Sequence, residues 1–284
     1  MADGRLTRFE SEGLVLTVRD EGPIDGPVVI ALHGFPQTSA SWAAVTPLLT
    51  AEGYRVLAPD QRGYSSGARP RRVRDYAMRS LTADVLALAD AAGTDRFHLL
   101  GHDWGAAVGW SLAGRHPERV ASLSAVSVPH PAALRRALVG VQALRSWYIG
   151  AFQVPVVPEL LLRARGGALV RRLLAGTGMP DPAAALRLLT NPRAATPMLQ
   201  WYRAIRLPGQ LDAGTIRVPT LFVWSDRDTA IDRRAAEAAA DFVAAPYRFA
   251  VLAGATHWIP EERADELAAL VLEQLAAHPA EPAS

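Results

Sequence analysis

Apolar residues recur along the chain in two alternating patterns. Residues 14–19 (LVLTVR) alternate apolar with polar, as a half-buried strand does, and run into Asp20-Glu21-Gly22-Pro23, a turn signal. Residues 28–32 (VVIAL) form a short unbroken apolar run, the mark of a strand buried on both faces. Residues 54–58, 97–100, 120–126, 220–224 and 248–252 read the same way. Between these runs lie amphipathic stretches over 40–51, 80–92, 105–115, 233–244 and 262–276, with the spacing of helices. Strands alternating with helices predict an α/β domain, a mostly parallel central sheet with helices on both faces.

The alternation stops between about Pro129 and Asp212. Apolar positions there keep helical spacing, as at Leu186, Leu188 and Leu189. Pro155, Pro158, Pro180, Pro182, Pro192, Pro197 and Pro208 cut the segment into short helices. The expected organisation is a core formed by residues 1–128 and 213–284, with a helical cap over 129–212 inserted into it. No internal repeat or low-complexity linker interrupts this plan, and the tail at 279–284 is expected to fray.

Composition narrows the chemistry. Half of the 284 residues are hydrophobic and 20% are charged, a globular rather than a disordered profile. No cysteine is present, which excludes disulfides, thiolate metal ligands and a cysteine nucleophile. All 30 basic residues are arginine, so lysine Schiff-base chemistry and a phosphate-loop lysine are excluded too. The net charge is only +2, and the basic isoelectric point reflects arginine's high pKa rather than a charge excess. The densest basic cluster, Arg69, Arg71, Arg72 and Arg74, has no interleaved aromatic residues and reads as a solvated loop, so no nucleic-acid partner is expected. Residues 1–13 are polar and no run approaches 18 apolar residues, so neither a signal peptide nor a membrane partner is expected, and the location is expected to be cytoplasmic.

The most informative segment is FHLLGHDWGAA at 97–107. An apolar strand runs into Gly-x-Asp-x-Gly and then into small residues of a helix, a nucleophile-elbow pattern with aspartate where serine is usual. Glycines flank Asp103 because the turn is sharp and the helix must pass close to the strand. A plain helix N-cap is the competing reading of Asp103. His33-Gly34-Phe35-Pro36 follows the strand at 28–32, which brings the Phe35 backbone N–H beside the elbow; with that of Trp104 it forms a candidate oxyanion hole. Ser225-Asp226-Arg227-Asp228 follows a strand, and so does Thr256-His257-Trp258. Nucleophile, acid and histidine thus arrive in one chain order, each at a strand's carboxyl end.

With these residues the chain resembles the α/β-hydrolase superfamily, in the branch of soluble epoxide hydrolases and haloalkane dehalogenases. HGFP at 33–36, DQRGYSSG at 60–67, GHDWG at 101–105, WSDRD at 224–228 and THW at 256–258 carry the resemblance. It implies the α/β-hydrolase fold, Asp228 rather than Asp226 as the acid, and Asp103, Asp228 and His257 as the catalytic triad. Aspartate, with an unperturbed pKa of about 3.9, needs no base to attack saturated carbon. His257 would then activate the water that cleaves the resulting ester.

The leaving group separates the readings within the branch. An opening epoxide develops an alkoxide that needs a hydrogen-bond donor, whereas a halide leaves without a proton. QWYR at 200–203 resembles the segment carrying one ring-opening tyrosine of epoxide hydrolases, which implies Tyr202; Tyr148 in WYIGAFQ resembles the other. The dehalogenase alternative is weaker, because haloalkane dehalogenases commonly place asparagine where Phe35 stands. Fluoroacetate dehalogenases are similar at HGFPQ, residues 33–37, but follow the nucleophile with arginine, and this chain has Trp104. A non-catalytic ligand receptor is the alternative of another class, and it would have no use for the complete triad. The expectation is an epoxide hydrolase that converts a neutral organic epoxide and water to a vicinal diol. Phe35, Trp104, Trp147 and Trp258 are expected to line its apolar pocket. No cofactor or metal is implied, since His98, His116, His130 and His278 are isolated. His33 is expected to organise the oxyanion loop, His102 to pack and Asp60 to fix the loop after its strand. A homodimer is allowed.

Overall fold

The unbroken apolar runs become the middle of a sheet. In the computed structural model, which describes residues 4–138 and 141–280, β3 (Val28–Leu32), β4 (Arg55–Pro59), β5 (Phe97–His102), β6 (Val120–Val126) and β7 (Thr220–Ser225) are buried at every position. They are flanked by β1 (Arg8–Ser11) and β2 (Leu14–Glu21) on one side and by β8 (Tyr247–Leu252) on the other. The order is β1-β2-β4-β3-β5-β6-β7-β8, antiparallel from β1 to β2 and from β2 to β4, and parallel elsewhere. The fold is the expected α/β-hydrolase fold. Residues 281–284 of the tail expected to fray lie outside the described residues.

The period of two along each strand sorts side chains into two cores. Ile30, Leu32, Leu57, Leu99 and Leu123 face one layer, with α2 (Met78–Ala91) and α3 (Trp104–Arg115). Val29, Ala31, Val56, Leu100 and Val223 face the other, where α1 (Thr46–Ala51) and α13 (Ala264–Ala277) cover the sheet. Between β6 and β7 the named elements are helical: α4 (Pro131–Ala137), α5 (Val141–Arg145), α6 (Trp147–Phe152), α7 (Val157–Arg163), α8 (Ala168–Gly176), α9 (Pro182–Thr190) and α10 (Pro192–Ala204), with a 3-10 turn at Ala164–Gly167. Short α11 (Arg233–Glu237) and α12 (Ile259–Glu262) follow β7 and β8. No helix among the described residues is long and apolar enough to cross a membrane.

β1 carried no expectation, since its four residues alternate over too short a span. Three local expectations are corrected. β2 continues through Asp20 and Glu21, where a turn was expected, because the Asp20 carboxylate is buried and paired with Arg55 Nε (2.9 Å) and Nη2 (2.7 Å). The helix expected at 40–51 is a 3-10 turn (Ser39–Trp42) followed by α1, with Pro47 in the first turn of α1; that expected at 233–244 is α11 followed by a 3-10 turn (Ala238–Phe242).

One buried guanidinium couples the sheet to the helices above it. Arg62 donates to both carboxylate oxygens of Asp84, from Nε at 2.9 Å and from Nη2 at 2.7 Å, while its carbonyl accepts the Trp201 indole N–H of α10 at 2.8 Å. Asp84→Ala would leave the charge of Arg62 buried with the half-exposed Glu12, at 2.9 Å, and the Asp75 carbonyl, at 2.8 Å, beside it. Loss of a buried pair of this kind costs about 3–5 kcal/mol. The urea midpoint should fall accordingly, and an unchanged midpoint would show that the pair bears no structural load.

Candidate active site

Asp103 stands between β5 and α3 with φ 53° and ψ −118°, a left-handed conformation that costs a non-glycine residue roughly 1–3 kcal/mol. Its neighbours hold it there. A Cβ on Gly105 would lie 2.1 Å from the Leu32 carbonyl oxygen, and one on Gly34 would lie 2.4 Å from Asp103 Cβ. The two glycines let the helix and the loop at 33–36 close onto the elbow, and the turn can be this tight only because they carry no side chains.

The carboxylate is gripped at both oxygens. The Phe35 N–H donates to Oδ1 at 2.8 Å, and Oδ2 lies 3.6 Å from His257 Nε2. Trp104 opens α3, so its N–H is one of the helix's first-turn donors, without an intrahelical partner. His257, in the loop after β8, donates from Nδ1 to Asp228 Oδ2 at 2.8 Å. Asp228 Oδ1 in turn accepts the backbone N–H groups of Ala230 (2.7 Å) and Ile231 (2.9 Å). Asp226 points elsewhere and accepts the Gly254 N–H at 2.7 Å. Asp103, His257 and Asp228 therefore form one line.

Burial works against charge on His257, but the Asp228 charge and the hydrogen bond and charge of Asp103 outweigh it and raise the ring to about 10. Burial likewise opposes ionisation of Asp103, and His257 with the Phe35 N–H reverses this, holding the carboxyl below its ordinary value. The resting pair is carboxylate and imidazolium.

Above Asp103 lies an aromatic box. The Tyr202 ring meets those of Phe35 (5.1 Å between centroids), Trp104 (5.1 Å), Phe152 (5.0 Å) and Tyr148 (5.9 Å) edge-on or nearly so. Burial pushes both tyrosine hydroxyls well above 10; the Asp103 and Asp228 charges add to this at Tyr148, and Tyr148 and Asp103 add to it at Tyr202. Both therefore remain O–H donors at neutral pH.

The residues flanking Tyr202 explain the QWYR pattern. Gln200 donates to the Arg71 carbonyl (3.1 Å), Trp201 to that of Arg62 (2.8 Å), and Arg203 to Phe152 (3.1 Å) while pairing with the buried Glu159 (2.9 Å). Gln153 closes the link between the two tyrosine segments by donating to the Tyr202 carbonyl at 2.7 Å.

One pocket expectation is corrected. Trp147 is 62% exposed. Adjacent helical residues point about 100° apart, and Tyr148 takes the inward direction on α6. Trp258 is buried edge-on against His257 (5.2 Å), with its indole N–H on Thr177 Oγ1 (3.0 Å). Phe152, Gln153 and Glu159 were not singled out from sequence; the FQ that ends WYIGAFQ was the available signal for the first two. His33 accepts the Gln61 N–H at Nε2 (3.1 Å), with Nδ1 2.9 Å from the Gly34 carbonyl, and Asp60 accepts the Ser39 N–H (2.9 Å). Among the described residues no group of three His, Asp or Glu could hold a metal ion.

Comparison with known proteins agrees with this architecture. A family model described as the alpha/beta hydrolase fold matches residues 27–264. Epoxide hydrolase A of Mycobacterium tuberculosis is 35% identical, over 94% of this chain and 95% of that protein. AB hydrolase superfamily protein YfhM of Bacillus subtilis is 33% identical, over 96% and 99%. The crystal structure of epoxide hydrolase A from Mycobacterium thermoresistibile superposes with a TM-score of 0.83 at 31% identity, covering 96% of this chain and 98% of that one.

The electrostatics predict that ring NMR will find His257 still protonated at pH 8. Because its folded pKa is raised, its stabilisation is fully present below about pH 6.5 and is lost as the pH rises through about 10. Asp228→Asn should move the titration down toward the ordinary histidine value. A wild-type ring that deprotonates near 6.5 would contradict the assignment.

Proposed function

The chain belongs to the alpha/beta-hydrolase family, and on that premise we propose that it hydrolyses a neutral organic epoxide to a vicinal diol through an ester on Asp103. The observation that carries this reading is an ionised aspartate at the elbow, held between a backbone N–H and a histidine, beneath two buried tyrosine hydroxyls. We read residues 129–212 as the cap, inserted into a core of 1–128 and 213–284, with the substrate between the two. The apolar box suits an uncharged substrate. Cytoplasmic action is part of the same reading.

The geometry divides the work between the two oxygens of Asp103. Oδ1 is already occupied by the Phe35 N–H, which leaves Oδ2 to attack an epoxide carbon. The carbon–oxygen bond of the ring breaks as the ester bond forms, and Tyr148 and Tyr202 donate to the emerging alkoxide. Oδ1 becomes the ester carbonyl oxygen, sitting where negative charge must appear when water attacks.

Ester formation also changes His257. The Asp103 charge vanishes, and with it part of what holds the imidazolium. The ring can then lose its proton, which balances the proton taken up by the alkoxide. A neutral His257, oriented by Asp228, next deprotonates the water that attacks the Asp103 carbonyl carbon. Collapse releases the diol and restores the carboxylate and imidazolium. The base is therefore armed only after the nucleophile has been used, the reverse of a serine triad.

Two variants test the reading on a panel of neutral epoxides. His257→Gln should accumulate a covalent adduct of substrate mass on the peptide containing Asp103, seen by mass spectrometry. Tyr202→Phe should slow the single-turnover alkylation by roughly 10²–10⁴, the range of general-acid assistance. No adduct with any epoxide, or halide release from haloalkanes without epoxide turnover, would overturn the proposal.

A further inference from the structure

At the backbone carbonyl of His257 ends a buried polar chain that the proposed reaction does not use. The His257 carbonyl oxygen accepts two hydrogen bonds, from Ser127 Oγ and from His102 Nε2, both at 2.9 Å. His102 Nδ1 lies 3.1 Å from the Gln37 carboxamide, and that carboxamide reaches Glu261 on its far side. From the donors and acceptors that must match along these contacts we infer that Glu261 is held as a neutral carboxylic acid whose proton orients Gln37 and His102 and so positions the catalytic histidine. The inference rests on the reading of His257 as the base.

The chain can be polarised in only two ways. A carbonyl cannot donate, so His102 must carry its proton on Nε2. His102 is fully buried, and burial together with the neighbouring His257 lowers its pKa to about 4, so the ring is neutral and Nδ1 is an acceptor. An acceptor there requires the amino group of Gln37. The carboxamide oxygen then faces Glu261, and only a carboxyl O–H can satisfy it. The structure draws the opposite orientation, with oxygen toward His102 and nitrogen donating to Glu261, which would require an imidazolium in a site with no solvent contact. A half-turn of the carboxamide exchanges the two without displacing a neighbour.

A second observation agrees. The other carboxyl oxygen of Glu261, Oε2, is buried without a hydrogen-bond partner among the described residues, a costly place for an anion. Burial, opposed by Gln37 and by the His257 charge, moves the group up to about 7. The charged groups nearest in sequence do not compensate it: Glu262 is bound to Thr256, Arg263 lies 3.5 Å from Glu266, and Asp265 is exposed on α13. The 3-10 turn packed on α12, Ser39–Trp42, carries no charge. Above neutral pH the carboxylate leaves one contact of the chain with two acceptors face to face, and the hold on His257 loosens.

The test separates this inference from the proposed reaction. Infrared difference spectra of wild type against Glu261→Gln, without substrate, should show a protonated carboxyl stretch at pH 6 that disappears by pH 8.5. In single turnovers the wild-type ester hydrolysis should slow as the pH rises through about 7. Glu261→Gln, whose amide can donate at every pH, should lack that decline and at pH 8.5 exceed wild type by about fivefold, the factor one net hydrogen bond is worth. Alkylation should be unchanged. Gln37→Met, which severs the chain at similar volume, should lower ester hydrolysis at all pH values and also abolish the decline. A carboxylate at pH 6, or identical pH profiles for wild type and both variants, would overturn the inference. If no epoxide is turned over, the infrared result still decides the protonation state.

Discussion

The strained backbone of Asp103 is the constraint on which the remainder of the site depends. A residue at φ 53° between a buried strand and a helix aims its carboxylate out of the sheet's carboxyl edge, where no regular geometry would place it. The turn survives because glycines at 34 and 105 let the loop at 33–36 and α3 close in on it, and because the strands on either side are buried at every position. The Phe35 N–H reaches Oδ1 through the same closeness. The strained turn, the Phe35 N–H and the Asp103 carboxylate are therefore one structural unit, and a larger side chain at either glycine would disturb all three.

Charge then sets the order of events. Asp103 and Asp228 flank one histidine, and their joint pull outweighs the desolvation of the ring. In the proposed reaction, forming the ester would remove one of the two charges and convert the histidine from ion partner to base. The helices between β6 and β7 supply what the core lacks, two phenols kept protonated by burial, one of them packed edge-on against the other and against Phe35 and Trp104. α10 is anchored on both sides of Tyr202 by Trp201 and Arg203, so the hydroxyl is carried by fixed neighbours rather than by a free loop.

The strand–helix alternation, the elbow and the order of Asp103, Asp228 and His257 were legible because each is written in a contiguous stretch of sequence. Asp228 could be separated from Asp226 only by resemblance, and the structure shows the reason in the two different sets of backbone N–H groups they face. Trp147 and Tyr148 are equally aromatic neighbours, and only the docking of α6 decides which faces inward. β1 was too short to show a period, and the split at 40–51 depends on Pro47 and on packing against the sheet. The chain from Glu261 through Gln37 to His102 joins residues 224 positions apart, and no local pattern announces it.

The account turns on a covalent aspartyl ester cleaved at its carbonyl carbon. A single turnover with enzyme in excess over an epoxide, run in ¹⁸O-water, tests this most directly. The account predicts ¹⁸O in the carboxylate of Asp103 and an unlabelled diol, because the oxygen delivered to the substrate comes from Oδ2. Label in the diol with none in the peptide that carries Asp103 would mean that water attacks the epoxide directly, and would contradict it.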